Sequence, residues 1–207
     1  MAYDFNGTNQ FLEAGSAVVN RPCTMAVWAY LDNVTGLRDL VSVSSKTALA
    51  VLRLNVNSTQ FRIADQGNVN AVAIGGTVSA NVWNHYAGVF VSGASRTPYT
   101  NGVAGAENTT TVAAITPTFT NIGAFYAGTA TAIQFMDGLI AEVGIWNVAL
   151  TAAEIASLAK GMTCDKIRPQ NLVFYAPLVR DLNDQKGGLT ITNNNAATVA
   201  AHTRVYA

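Results

Sequence analysis

Charge is scarce in this chain. Twelve Lys and Arg face twelve Asp and Glu among 207 residues, so charged side chains make up 12% and the formal net charge is zero. No global field is available to hold nucleic acid or an anionic membrane, and a charged ligand has to be met by a local cluster. Half of the residues are apolar, yet no apolar run approaches the ~18 residues of a membrane span. Glutamate occurs only at 13, 107, 142 and 154, and histidine only at 85 and 202. Glycoside hydrolysis needs a pair of carboxyl groups, and no glutamate here has a carboxylate two residues away. A Gly-x-Ser-x-Gly elbow and a His-Glu-x-x-His zinc motif are missing as well. The glycine pairs at 75–76 and 187–188 lack a following helix or a Lys-Ser/Thr pair, which excludes a phosphate-binding loop. Cys23 and Cys164 are the only cysteines; they read as two lone thiols, with one disulfide as the alternative. No Pro/Ser/Gly linker or charge run divides the chain, so one large domain with a C-terminal extension is expected.

What the sequence does contain is a series of short β-type runs separated by turn signals, the pattern of a sandwich or jelly roll. Strands are expected near 2–6, 10–14, 24–32, 39–45, 48–55, 60–65, 70–75, 83–92, 97–100, 103–107, 119–124, 130–135 and 137–148. The last is apolar on both faces and so central in its sheet. Asn101-Gly102 is a two-residue hairpin signal, because a type I′ turn needs positive φ at both central positions. If Asn57-Ser58 is also a two-residue loop, Leu52 faces Ile63 and Leu54 faces Phe61 on one apolar face. The other face then sets Arg53 against Arg62 and Asn55 against Gln60. Two arginines directly across a ladder repel, so this register calls for a nearby carboxylate or a bound anion.

A helix is expected at 152–160 from local chemistry alone. Thr151 is an N-cap, Glu154 completes a capping box, Leu150 and Ile155 can form a hydrophobic staple, and Gly161 can close the C-terminus.

The run Phe135-Met136-Asp137-Gly138-Leu139-Ile140-Ala141-Glu142-Val143-Gly144-Ile145-Trp146-Asn147, the helix start after it, Trp83-Asn84-His85-Tyr86-Ala87-Gly88 and Tyr3-Asp4-Phe5-Asn6-Gly7-Thr8-Asn9 together resemble a laminin-G-like, concanavalin A-type domain. The resemblance implies an all-β fold: a two-sheet antiparallel β-sandwich of jelly-roll type, covering roughly residues 2–162. It divides the chain into a laminin-G-like domain at 1–162 and an extension at 163–207. The tail segment Tyr175-Ala176-Pro177-Leu178 resembles one that often precedes such domains. Its position here suggests a permuted arrangement, with residues 171–200 adding strands beside the N-terminal one; the alternative is an arm docking on a neighbouring subunit.

Such folds host many functions, so activity has to be argued from sites. Trp28 and Tyr30 alternate along one strand and could form a sugar-stacking platform, with Arg53, Asn55, Gln60 and Arg62 as polar partners for a glycan or an anion; the other reading places Trp28 in the core. Phe125 and Tyr126 suggest exposed aromatics at a loop tip. Glu142 stands without a second carboxylate two residues away, so a structural partner is expected for it, and no catalytic residue is assigned. No cofactor is expected except calcium, for which Asp32-Asn33, Asp65 with Asn68, and Asp137 are the candidate loop oxygens; the metal site itself stays open.

Met1-Ala2-Tyr3-Asp4-Phe5 leads into the first strand without a basic or apolar leader, from which synthesis in a host cytoplasm without a cleaved signal is expected. With the resemblance of the tail to phage-encoded laminin-G-like proteins, the expectation is a non-catalytic bacteriophage virion-surface protein. It would serve as head decoration, fibre or tail knob, partnered by other virion proteins or by itself and able to bind host polysaccharide. The alternatives are a stand-alone extracellular carbohydrate-binding or adhesion module, and then a glycoside hydrolase.

Overall fold

The computed structural model describes residues 1–201; His202 lies outside the described residues. In chain order the strands are β1 (Ala2–Asn6), β2 (Phe11–Gly15), β3 (Cys23–Leu31), β4 (Leu37–Ser44), β5 (Val51–Asn57), β6 (Gln60–Gln66), β7 (Asn70–Thr77), β8 (Trp83–Ser92) and β9 (Ser95–Thr100). They continue with β10 (Val103–Ala104), β11 (Phe119–Ile122), β12 (Phe125–Tyr126), β13 (Ala132–Ile133), β14 (Asp137–Trp146), β15 (Leu172–Ala176), β16 (Thr192–Asn194) and β17 (Thr198–Ala200). The helix is α1 (Ala152–Ala159).

All strands but β12 and β13, which pair with each other, join two antiparallel sheets facing each other, the sandwich expected from the sequence. The first runs β10-β9-β8-β3-β14-β1-β17, and the second β16-β2-β11-β4-β5-β6-β7. In the first sheet, β14 has β3 along one side and two strands in tandem along the other: β1 against 137–140 and β15 against 143–146. Between these two partners a bulge at Ala141/Gly144 places Glu142 at φ 53°. From the tail, β16 pairs with β2 and β17 with β1, so residues 172–200 contribute strands to both sheets of the same sandwich.

Alternation decides what lies between the sheets. Cys23, Met25, Val27, Ala29 and Leu31 of β3 face Leu52, Leu54, Val56, Phe61 and Ile63 of the second sheet across one continuous apolar core. The even residues of β3 point the other way, and at one end they are covered by α1. There Ile155 and Leu158 pack with Leu150, Ala26, Ala87, Val89 and Trp146. The helix starts with the expected capping box: Glu154 N–H donates to Thr151 Oγ1 and Thr151 N–H donates to Glu154 Oε2 at 2.7 Å. Asn101 and Gly102 take φ 51° and 80°, the geometry of the type I′ turn. A Cβ at Gly102 would lie 3.2 Å from Ala156 Cα, so the turn also needs glycine to pass beneath the helix. Cys23 lies in the core and Cys164 on the helix side of the first sheet; both thiols are free and buried.

The β5–β6 hairpin departs from the expected register. Its turn is Ser58-Thr59, with Ser58 at φ 53°, and Asn57 pairs with Gln60. The shift by one residue in each strand keeps every side chain on its expected face and sets Val56 opposite Phe61 instead of Thr59. Both are fully buried, so the ladder gains an apolar pair that the other register forfeits. As a consequence Arg53 faces Ala64, Arg62 faces Asn55, and Gln60 is exposed.

Candidate functional site

The outward residues of the second sheet form an unusually polar layer. In β5 these are Arg53 and Asn55, in β6 Gln60, Arg62, Ala64 and Gln66, in β4 Asp39, Ser42 and Ser44, and in β11 Asn121, as the pairings Arg53↔Ser42, Asn55↔Asp39, Asn55↔Arg62 and Asn121↔Ser42 require. The segment 123–136 folds over the β2–β11–β4 side of this layer. Phe125 and Tyr126, expected at an exposed tip, are both buried: Tyr126 sits in a cluster with Phe11, Phe119 and Phe135, and Phe125 lies against the Arg53 guanidinium. The segment is also tied to the sheet by polar bonds: Ser42 Oγ donates to the Ala124 carbonyl at 3.0 Å, and the Tyr126 N–H donates to Ser44 Oγ at 3.1 Å. At its outer rim the Tyr126 hydroxyl donates to Glu13 Oε2, and the Lys46 ammonium sits 4.0 Å from the Phe119 ring centre.

Arg53 lies where the covered and uncovered parts of the layer meet. It is only 7% exposed. Its Nη1 donates to Asp39 Oδ2 at 3.1 Å and to Gln134 Oε1 at 2.7 Å, and its guanidinium lies 4.0 Å from the Phe125 ring centre. Arg53 and Arg62 are not directly opposed in the observed register, and the carboxylate beside Arg53 is Asp39. Burial pushes the Asp39 carboxyl up to about 7, against the opposing pull of the Arg53 charge. Arg62 has no such companion: among the described residues it makes no hydrogen bond and no ion pair. Burial and then the Arg53 charge push its guanidinium down from the usual value.

Unpaired polar atoms concentrate on this face. Of the eleven buried side-chain polar atoms without a partner among the described residues, six belong to it: Asp39 Oδ1, Arg53 Nε, Asn55 Oδ1, Arg62 Nε, Gln66 Oε1 and Asn121 Oδ1. Asn55 is 2% exposed. Each such group costs about 1–3 kcal/mol if left dry, so the strip along β5 and β6 is a surface that needs polar company from outside the fold.

Trp28 and Tyr30 lie elsewhere. They point outward from the first sheet, on the far side of the sandwich from Arg53, Asn55, Gln60 and Arg62, because even positions of β3 face away from the core. Trp28 is buried against Ala2 and Ala141 and packs edge-on to His85 with ring centres 5.4 Å apart. Tyr30 is half-buried beside Trp83, with ring centres 5.8 Å apart.

The calcium candidates separate as well. Asp32, Asn33 and Asp137 do meet: the Asp32 N–H donates to the Asp137 carbonyl at 3.1 Å and Asn33 Nδ2 donates to Asp137 Oδ2. Burial and then the Asp137 charge raise the carboxyl of Asp32, and burial and then the charges of Asp32 and Asp137 raise that of nearby Asp4. Asp65 is not a loop ligand but an inward residue of β6, opposite Leu52, where it pairs with Arg21 and Arg96. Among the described residues no group of three His, Cys, Asp or Glu is arranged to hold a metal. Glu142, on the bulge of β14, accepts a 2.7 Å hydrogen bond from the Tyr175 hydroxyl, and burial raises its carboxyl.

Residues 6–156 match a laminin G family model described as the concanavalin A-like lectin/glucanases superfamily. The chain belongs to this superfamily. The lectin-like sandwich is also shared with solved structures at low identity. A Bacteroides ovatus protein with an inferred carbohydrate-binding role is 17% identical with TM-score 0.68, over 96% of this chain and 61% of that one. The heptameric SAP-like pentraxin of Limulus polyphemus is 16% identical with TM-score 0.64, over 95% and 93%. Domain 4 of an extracellular GH43 arabinanase from Geobacillus stearothermophilus, solved with arabinotriose, is 18% identical with TM-score 0.61, over 76% of each chain. No curated protein matches the chain by sequence.

Within this lectin-like fold, sequence reasoning missed Asp39 and Gln134, which complete the surroundings of Arg53. An aspartate at the start of an apolar strand and a glutamine in a loop give no local signal. Only the unpaired charge of Arg53 pointed to a carboxylate of unknown position.

Proposed function

We propose that this chain is a non-catalytic carbohydrate-binding module that holds its ligand on the uncovered strip of the second sheet, along β5 and β6. The observation that carries this reading is the set of unpartnered polar groups at Asn55, Arg62 and Gln66. Sugar hydroxyls donate and accept, so they can satisfy amides and a guanidinium at once. The superfamily match and the arabinotriose-bound neighbour support it further. The carboxylate inventory supports the absence of catalysis: the outward positions of β5 and β6 carry no carboxylate, and the neighbouring Asp39 of β4 is buried and committed to Arg53, whereas glycoside hydrolysis needs two carboxyl groups.

A glycan microarray followed by calorimetry tests the proposal. Wild-type protein is expected to bind an oligosaccharide, and Asn55→Ala to weaken it about 10-fold, the value of one or two hydrogen bonds. Tyr30→Ala on the opposite side is expected to leave affinity unchanged. Absence of any glycan binding would sink the reading, and sensitivity to Tyr30→Ala alone would move the site to the first sheet.

The finer proposal places the module on a bacteriophage virion, with itself or other virion proteins as partners. The likeness of Tyr175-Ala176-Pro177-Leu178 to phage-encoded relatives and the sparsely charged composition favour it. Mass spectrometry of purified particles decides it: fixed stoichiometry in virions supports the placement, and a free or cell-attached chain favours the extracellular adhesion module instead.

A further inference from the structure

Arg53 and Arg62 share a face but do different work. Arg53 is spent inside the fold, its charge answered by Asp39, its Nη1 by Gln134 and its plane by Phe125. Arg62 has none of these. It is half-buried, stands directly opposite Asn55 on one side and Ile74 of β7 on the other, and makes no hydrogen bond or ion pair among the described residues. A partly desolvated guanidinium usually earns its place by gripping an anion with its planar fork of N–H donors. Its neighbours along the strip, Asn55, Gln60 and Gln66, are neutral and suited to hydroxyls.

We infer that the ligand is an anionic saccharide whose acid group docks on Arg62, with Asn55, Gln60 and Gln66 taking adjacent hydroxyls. This rests on the carbohydrate-binding reading and narrows its substrate class. The acid group is a uronate carboxylate or a sulfate ester, since both offer the oxygens that a guanidinium fork accepts. Arg53 is a positioning residue: it holds the 123–136 segment against the sheet and sets the wall beside the strip.

The experiment compares four probes by calorimetry: an oligogalacturonate, its methyl ester, a sulfated oligosaccharide of similar length and a neutral oligosaccharide. Each is measured with wild type, Arg62→Gln and Arg62→Lys. Wild type is expected to prefer a charged probe over its neutral counterpart by about 10-fold or more. Arg62→Gln is expected to erase the preference, Arg62→Lys to retain part of it, and both to melt close to wild type because Arg62 supports no other group. Preference for the carboxylate or for the sulfate identifies which acid is meant. Equal binding of the charged and neutral probes, for carboxylate and sulfate alike, or an unchanged preference in Arg62→Gln, overturns the inference while the carbohydrate-binding reading stands. Failure of every probe together with a blank microarray overturns both.

Discussion

Replacing Asp65 with alanine is expected to destabilise the protein by about 3–5 kcal/mol, the cost of leaving buried charge unpaired. Asp65 lies between two guanidiniums inside the sandwich: Arg21 Nε donates to Asp65 Oδ2 at 2.8 Å, and Arg96 Nε approaches the same oxygen at 3.4 Å. The side chains of Asp65 and Arg96 are 0% exposed and that of Arg21 is 4% exposed, so water cannot take over the lost carboxylate. The damage should extend beyond the pair. Arg96 Nη1 donates to Asn108 Oδ1 at 2.8 Å and to the Thr110 carbonyl at 2.9 Å, and Arg21 Nη1 donates to the Ala113 carbonyl at 3.1 Å. The long connection between β10 and β11 therefore hangs on these two arginines. Urea denaturation of Asp65→Ala checks the magnitude, and amide exchange should rise first at 108–113. A loss below about 1 kcal/mol in Asp65→Ala would mean that the pair is solvated and surface-like.

His85 should give the second large effect, visible only against pH. Its ring is 2% exposed, packs on Trp28 and leaves Nδ1 without a partner, and burial lowers its value from 6.5 to about 3. The folded protein thus keeps a neutral imidazole while the unfolded chain takes up a proton below 6.5. The resulting stability is complete above that value and is lost as pH falls toward 3. Asp39 acts with the opposite sign: with a folded value of about 7 against 3.8, its contribution is complete in acid and fades as pH rises. The raw pH profile mixes the two, so the informative quantity is the stability difference between wild type and His85→Gln. That difference is expected to shift in favour of the variant by roughly 3 kcal/mol between pH 7 and pH 4. A pH-independent difference would show that the imidazole is hydrated or paired in the folded state.

Both effects depend on burial by chain segments far away in sequence, and the same division runs through the fold. The helix at α1 was legible because Thr151, Glu154, Leu150 and Ile155 signal within five residues of one another, and the Asn101-Gly102 turn was legible because two positive φ angles restrict which residues can fill it. Strand positions followed from alternation, and alternation also placed Arg53, Asn55, Gln60 and Arg62 on one face even though the hairpin register was off by one residue per strand. A shift of that kind preserves faces and changes partners, so the composition of the strip was legible and its pairings were not.

What lies opposite a strand is a different kind of information. The sequence by itself determined the all-β class, the helix, the central position of β14 and the shared polar face, since each rests on the local apolar pattern of a strand, alternating or continuous, or on capping chemistry within a few residues. Only the tertiary structure decided that Trp28 and Tyr30 look out from the other sheet, that 123–136 folds down to bury Phe125 against Arg53, that Asp39 supplies the carboxylate and that Asp65 turns inward to two arginines. These outcomes minimise unpaired charge and exposed apolar surface over the whole chain, and that balance leaves no mark in the local pattern of residues.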